Sequence, residues 1–253
     1  MKYVIGGIGD FLQIIDSAQE GEEKILVYSH QGCAGDFFKG LEIDAEIESF
    51  SKWEQTQNDF RISINKPLER KLYQDFDLPK ESEDLALRLK KEVQGKEILG
   101  IHPVGSDFSN DFWGEHGVPL KKMPFNFFKD LVSLLSKDFH LLVFGTTLEL
   151  REEYRIPLAK SDFKDKITWV SCEYIWDSLA HVLICDKVVA IDSAIKTMAS
   201  VKNIPSVVFV GNYEDKMRDD LFLDPYIADG VMKVIKFSDL NEQKIKELKL
   251  CLE

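Results

Sequence analysis

Cysteine is scarce and scattered in this chain: Cys33, Cys172, Cys185 and Cys251 form no C-x-x-C pair. Neither a disulfide framework nor a zinc site is expected, and reduced thiols in a cytoplasmic protein are the default. The dinucleotide fingerprint G-x-G-x-x-G is missing, which argues against a nicotinamide or flavin cofactor. No apolar run reaches the ~18 residues that suggest a membrane span. The opening MKYVIGGIGDFLQII looks superficially like a short signal sequence, but Gly6, Gly7, Gly9 and Asp10 break its apolar run and make it a first strand and turn. Positive charge is also short, with 32 Lys and Arg against 44 Asp and Glu and a net charge of -12. That balance argues against a general nucleic-acid binder and leaves at most peripheral contact with anionic lipid. Internal repeats and low-complexity segments are absent as well.

What is present is an alternation of short apolar strands and amphipathic helices over 253 residues, enough for one large or two modest α/β domains. KYVIGG followed by GIGD and FLQIIDSAQ reads as strand, glycine turn and one helix, the first unit of a doubly wound sheet. Strands are expected at 24–30 and 46–50, with a helix over 35–41 between them. The segment 52–79 has no clear period, and 81–93 reads as a helix with basic residues in its last turn. The sequence breaks at Gln94-Gly95-Lys96, which divides the chain into an N-terminal domain, 1–95, and a C-terminal domain, 96–253. The second part restarts with EILGIHPVGS, a strand and turn, and continues through a long loop at 107–120. Next come an amphipathic helix with Pro124 in its first turn, a strand at 140–145, a turn leading to a helix, and a strand at 166–170. A helix at 176–186 follows, with His181 as a packing residue. A last strand, GVMKVIKF, and a helix over 240–251 close the chain.

The most informative stretch is VVAIDSAIKTMASVKNIPSVVFVG, residues 188–211. Two buried-strand runs flank a short helix, and Pro205 blocks helix continuation before the second run. Asp192 and Ser193 end the first strand and open the helix, placing a carboxylate, a hydroxyl and free backbone N–H groups at one point on the sheet's carboxyl edge. Diphosphates bind at such points. The plainer reading makes Asp192 a helix cap, and the same alternative stands for Asp10 at the first turn.

Four separated pieces, GIGDFLQIIDSA, ILGIHPVGS with LKKMPFNFFKDL, LLVFGTTLELREEY, and LAHVLICDKVVAIDSAIKTMASVKNIPSVVFVG, together resemble glycosyltransferase family 9, the heptosyltransferase-like enzymes. The resemblance implies an α/β fold of two facing Rossmann-like doubly wound domains, the GT-B architecture, with the first domain reduced. It implies metal-independent, inverting transfer of a sugar, a heptose among the candidates, from a nucleotide-sugar donor to a hydroxyl of a saccharide or glycolipid acceptor, as in lipopolysaccharide biosynthesis, with no cofactor.

In that frame Asp10 takes the place of the general base that removes the acceptor's proton, because an alcohol is a poor nucleophile at neutral pH. Lys121 of Lys121-Lys122-Met123-Pro124 matches the lysine of K-x-W-P, with Met123 where the family has tryptophan. Glu149, four residues after Gly145 at a strand end, matches a contact to the donor's hydroxyls. His102 and Ser106 line the first turn of the second domain on the donor's side. Asp192, Ser193, Ala194, Ile195, Lys196, Thr197 and Ala199 fall on the motif D-[ST]-G-x-x-H-x-A, with Asp192 on sugar hydroxyls and Ser193 and the following amides on phosphate. At Thr197 the family has histidine, and Lys196 beside it is the candidate substitute cation. The short first domain and Thr197 also fit a second reading, a non-catalytic GT-B-like protein that binds a nucleotide or nucleotide-sugar. A third is an epimerase or hydrolase on the same architecture.

Overall fold

The computed structural model of the protein describes residues 2–21, 24–29, 31–52, 66–93, 95–105, 122–145, 154–158, 164–171, 173–210, 224–236 and 248. They build two parallel sheets. In the first, β1 (Lys2–Ile5), β2 (Ile25–Ser29), β3 (Ala45–Ser49) and the short β4 (Lys66–Pro67) are ordered β3-β2-β1-β4. In the second, β5 (Ile98–His102), β6 (His140–Phe144), β7 (Ile167–Val170), β8 (Lys187–Ile191), β9 (Ser206–Val210) and β10 (Met232–Lys236) are ordered β10-β9-β8-β5-β6-β7. Every strand pairing is parallel. Both orders start at a central strand, run outward to one edge, then return to its other side, the doubly wound plan with a switch point beside β1 and beside β5.

The strand sequences explain the layering. ILGIH of β5 and SVVFV of β9 are buried at every position, the near-continuous apolar run of a parallel strand covered on both faces. β3, at the sheet's edge, reads AEIES, with Glu46 exposed and Glu48 half-buried, and these charges discourage pairing with another chain.

Short helices connect the first strands: α1 (Ile8–Leu12), α2 (Ile15–Gln19) and α3 (Ala34–Gly40). Later come α4 (Lys80–Glu92), α5 (Phe125–Leu135), α6 (Ile156–Leu158), α7 (Ile175–Leu183), α8 (Ala194–Val201) and α9 (Asp224–Ala228). Two expectations need correction. The single helix over FLQIIDSAQ is two helices broken at Gln13-Ile14, because the Gln13 carbonyl accepts from the Lys71 amide at 2.8 Å and the Gln74 amide nitrogen Nε2 at 3.0 Å. Pro124 is the N-cap of α5 rather than part of its first turn, so its missing N–H costs the helix nothing. The expected helix over 240–251 lies outside the described residues except for Leu248, which is buried.

One apolar cluster joins the sheets. It runs from Val4 and Val27 through Phe11, Phe37, Phe76 and Trp176 to Phe144, Val188 and Ala190. The Trp176 ring stacks on Phe37 with centroids 4.6 Å apart, and its Nε1 donates to the Phe37 carbonyl at 2.8 Å. Gly40 makes this possible, since a methyl group there would lie 2.3 Å from Trp176 Nε1. The residues 68–79 form a strap across the same junction. The buried Gln74 accepts from the Asp16 amide at 2.9 Å, donates to the Gln13 carbonyl, and uses its own amide on the Val201 carbonyl at 3.2 Å. Lys202 donates to the Phe76 carbonyl at 2.9 Å and lies 3.8 Å over its ring. α4 packs on α7, where Ser82 Oγ donates to Asp177 Oδ1 at 2.6 Å. The far face of the second sheet has its own core under α5, with Leu99, Val143, Val189 and Phe209 against Phe128, Leu131 and Leu135.

Candidate functional site

The site of interest lies at the switch point of the second sheet, where β5 and β8 run side by side with His102 in register with Ala190. Beyond that register β8 is followed by Asp192 and Ser193. Ser193 is the N-cap of α8: its backbone is extended, and its Oγ accepts from the Lys196 amide at 3.4 Å. The same Oγ lies 2.8 Å from His102 Nδ1. Burial drives the His102 pKa down from 6.5 to about 4, so the ring is neutral at pH 7 and orients the serine without placing a charge there. The amides of Ala194 and Ile195 lie in the first turn of α8, where N–H groups have no carbonyl within the helix to bond. They add the positive end of the helix dipole to the Ser193 hydroxyl.

Lys196 occupies the third position of α8. A cation there opposes the helix dipole, yet its side chain is only 7% exposed, with Nζ 2.9 Å from Asp192 Oδ1. Asp192, 32% exposed, offsets the ammonium at the surface. Thr197 is buried, with its amide and Oγ1 both directed at the Ser193 carbonyl, at 3.0 and 3.3 Å.

The first sheet meets this point through the turn after β1. A methyl group on Gly9 would lie 3.1 Å from Thr197 Oγ1 and 3.9 Å from Ala194 Cα, so α1 and the start of α8 touch. Asp10, the next residue, is the third position of α1, and its Oδ2 accepts from the Gly7 amide at 2.9 Å, closing the helix start on itself. Gly6 has a φ of 143°, and a Cβ there would fall 2.1 Å from Asp10 Oδ2, so glycine is required for the carboxylate to sit where it does. Gln31 Oε1 accepts from the Ile8 amide at 2.6 Å and holds the other side of the turn. Asp10 Oδ1 is 3.0 Å from Arg70 Nη1, and both side chains are about one-third exposed.

Of the residues singled out in the sequence, Asp10, Ala194 and Thr197 are thus gathered at one junction, with His102, Asp192, Ser193 and Lys196 beside it. Gly145 ends β6 one strand further along the same edge, its amide donating to the Val170 carbonyl at 3.3 Å. Ser106, Lys121 and Glu149 lie outside the described residues. Lys122 forms an antiparallel bridge with Val104, and the Met123 amide donates to the Pro103 carbonyl at 2.8 Å, so the neck of that segment returns to the end of β5. Met123 itself is fully buried, with its carbonyl accepting from the Tyr154 hydroxyl. His181 is buried in α7, where its Nδ1 meets the Asp177 carbonyl at 2.6 Å. Arg70 was not singled out in the sequence, where it sits in the aperiodic segment 52–79 with no signal to mark it. Among the described residues no three His, Cys, Asp or Glu side chains gather as a metal site would, and no helix is long and apolar enough to cross a membrane.

Two doubly wound parallel sheets meeting at the turns that follow their first and fourth strands, β1 and β8, define a heptosyltransferase-like GT-B fold. Solved structures with this fold are similar over essentially the whole chain. Escherichia coli ADP-heptose lps heptosyltransferase II superposes with a TM-score of 0.62 at 14% identity, over 100% of this chain and 98% of that one. A glycosyl transferase of family 9 from Veillonella parvula gives 0.59 at 11% identity, over 98% and 89%. The E. coli heptosyltransferase WaaC with ADP gives 0.54 at 12% identity, over 99% of both. No protein-family model matches the chain, and no curated protein matches it in sequence.

Proposed function

We propose that the chain is a cytoplasmic glycosyltransferase that moves a sugar from a nucleotide-sugar to a hydroxyl of a saccharide or glycolipid acceptor, with inversion and without a metal ion. In this reading residues 1–95 face the acceptor and 96–253 hold the donor. The observation that carries it is the contact of α1 with α8, which brings the Asp10 turn of one sheet to the Ser193 turn of the other. Asp10 takes the acceptor's proton as its oxygen attacks the anomeric carbon. The bond from that carbon to the diphosphate breaks, and its electron pair leaves with the nucleotide. The growing negative charge meets the Ser193 hydroxyl, the first amides of α8 and the Lys196 ammonium, which are fixed before reaction and need no reorganisation. His102 and Asp192 position Ser193 and Lys196.

ADP and ADP-heptose are the first ligands to test, because WaaC is a structure with ADP and heptosyltransferase II is named for ADP-heptose and lps. Calorimetry with ADP, UDP and GDP is expected to show binding by one of them. Lys196→Met is expected to weaken it about tenfold, the order of one charge-assisted contact. Asp10→Ala is expected to keep that affinity while transfer from ADP-heptose to lipopolysaccharide core falls by about 10² or more, the scale of a general base. No nucleotide binding at millimolar concentration sinks the proposal.

One observation favours the non-catalytic reading: Gly9 and Thr197 are packed closely where an acceptor and a donor would face each other. Nucleotide binding with no turnover, unaffected by Asp10→Ala, selects it.

A further inference from the structure

We propose that Arg70 is a positioning residue for Asp10, holding the carboxylate in the orientation from which it takes the acceptor's proton; the inference rests on the transferase reading above. A carboxylate attached at one point is free to turn about its terminal bond. Asp10 is attached at two: Oδ2 to the Gly7 amide at 2.9 Å and Oδ1 to Arg70 Nη1 at 3.0 Å. Each carboxylate oxygen has two acceptor positions, so one on each oxygen is used for orientation and one on each remains for a substrate hydroxyl. About one-third exposure of both side chains leaves the pair reachable from solvent.

The backbone on either side of Arg70 is anchored. Leu68 donates its amide to the Tyr3 carbonyl of β1 at 2.9 Å, and Lys71 donates its amide to the Gln13 carbonyl at the end of α1 at 2.8 Å. The backbone that carries Arg70 is therefore held between two anchors, one on the strand that precedes Asp10 and one at the end of the helix that carries it. Four residues on, Gln74 ties the same strap to Asp16 and to Val201 of α8. The orientation of the base is in this way referred to both sheets. During the reaction the proton passes from the acceptor oxygen to Asp10, while Arg70 keeps its own protons and only steers.

An ion pair this exposed contributes little to folding, so Arg70→Ala is expected to keep its melting temperature. Steady-state transfer from ADP-heptose to lipopolysaccharide core separates the possibilities. Arg70→Ala is expected to lower kcat about 10- to 100-fold, the cost of a misplaced reacting group, with the donor KM and the ADP Kd within about twofold. Arg70→Lys, which restores the charge without the planar fork, is expected to recover part of the loss. Lys71→Ala, which removes the ion pairs of the same strap to Asp16 and Glu20, is expected to leave kcat within about twofold. Unchanged kcat in Arg70→Ala overturns the inference, as does a loss that tracks donor affinity or melting temperature without recovery in Arg70→Lys. Transfer by the unaltered chain keeps the reading of function standing in either case; its absence removes both.

Discussion

At the scale of single residues, His102 ties the site to stability. Its pKa is about 4 in the fold and 6.5 in the ordinary case, so between those values the unfolded chain binds more protons than the folded one. Stability is therefore full above pH 6.5 and falls as pH drops toward 4, by on the order of 3 kcal/mol from this group. His140, also lowered chiefly by burial, adds in the same direction. Urea denaturation at intervals from pH 7 to 4 is expected to show a steeper loss in the unaltered chain than in His102→Asn, where this titration is gone. Parallel curves contradict the assignment. The residues of this site were unevenly legible. Ser193 announced itself because strand, hydroxyl and helix follow one another in sequence. His102 lies 91 residues earlier, and only the pairing of β5 with β8 makes it that serine's partner. Arg70, Gln31 and Gln74 carry no local pattern at all. Their role is to reach a turn in another part of the chain, and sequence spacing does not encode that.

At the scale of elements, strands and amphipathic helices were readable wherever burial imposes a period: β8, β9, α4 and α7 fall within a residue or a few of expectation. The misreading came at α1 and α2, where helical spacing continues through Gln13 but the strap from 68–79 takes its carbonyl and breaks the helix. A non-local hydrogen bond overrode a local period. The junction of α3 and α7 shows how close two elements come. Gly40→Ala pushes a methyl group into Trp176 Nε1 and is expected to cost about 1–3 kcal/mol, the range for overpacking a filled core. Its urea midpoint is expected to fall accordingly. A change below ~0.5 kcal/mol means the ring moves aside freely, which is the level of an ordinary surface substitution.

At the scale of the molecule, alternating strands and helices pointed to two doubly wound sheets, and the sheet orders bear that out. What the sequence did not reveal is that the sheets share a core through Phe37, Phe76 and Trp176. Apolar residues at helical spacing look the same whether they face their own sheet or a neighbouring one. The shared core predicts one cooperative unfolding transition, with far-ultraviolet dichroism and calorimetry giving coincident midpoints and matching enthalpies. Two separated transitions contradict it.

The contact between Gly9 and Thr197 carries a consequence for how such a chain can change. A histidine at 197 has to find room for a ring where a threonine hydroxyl already sits close to a residue with no side chain. The small residue on one helix and the modest one on the other are two halves of a single fit. Their substitutions are coupled: a side chain at 9 obliges Thr197 to give by a few tenths of an ångström, and a shift there bears on Asp10 and Ser193 together. A descendant that acquires histidine at 197 must first loosen the seam, so that route crosses a less stable intermediate.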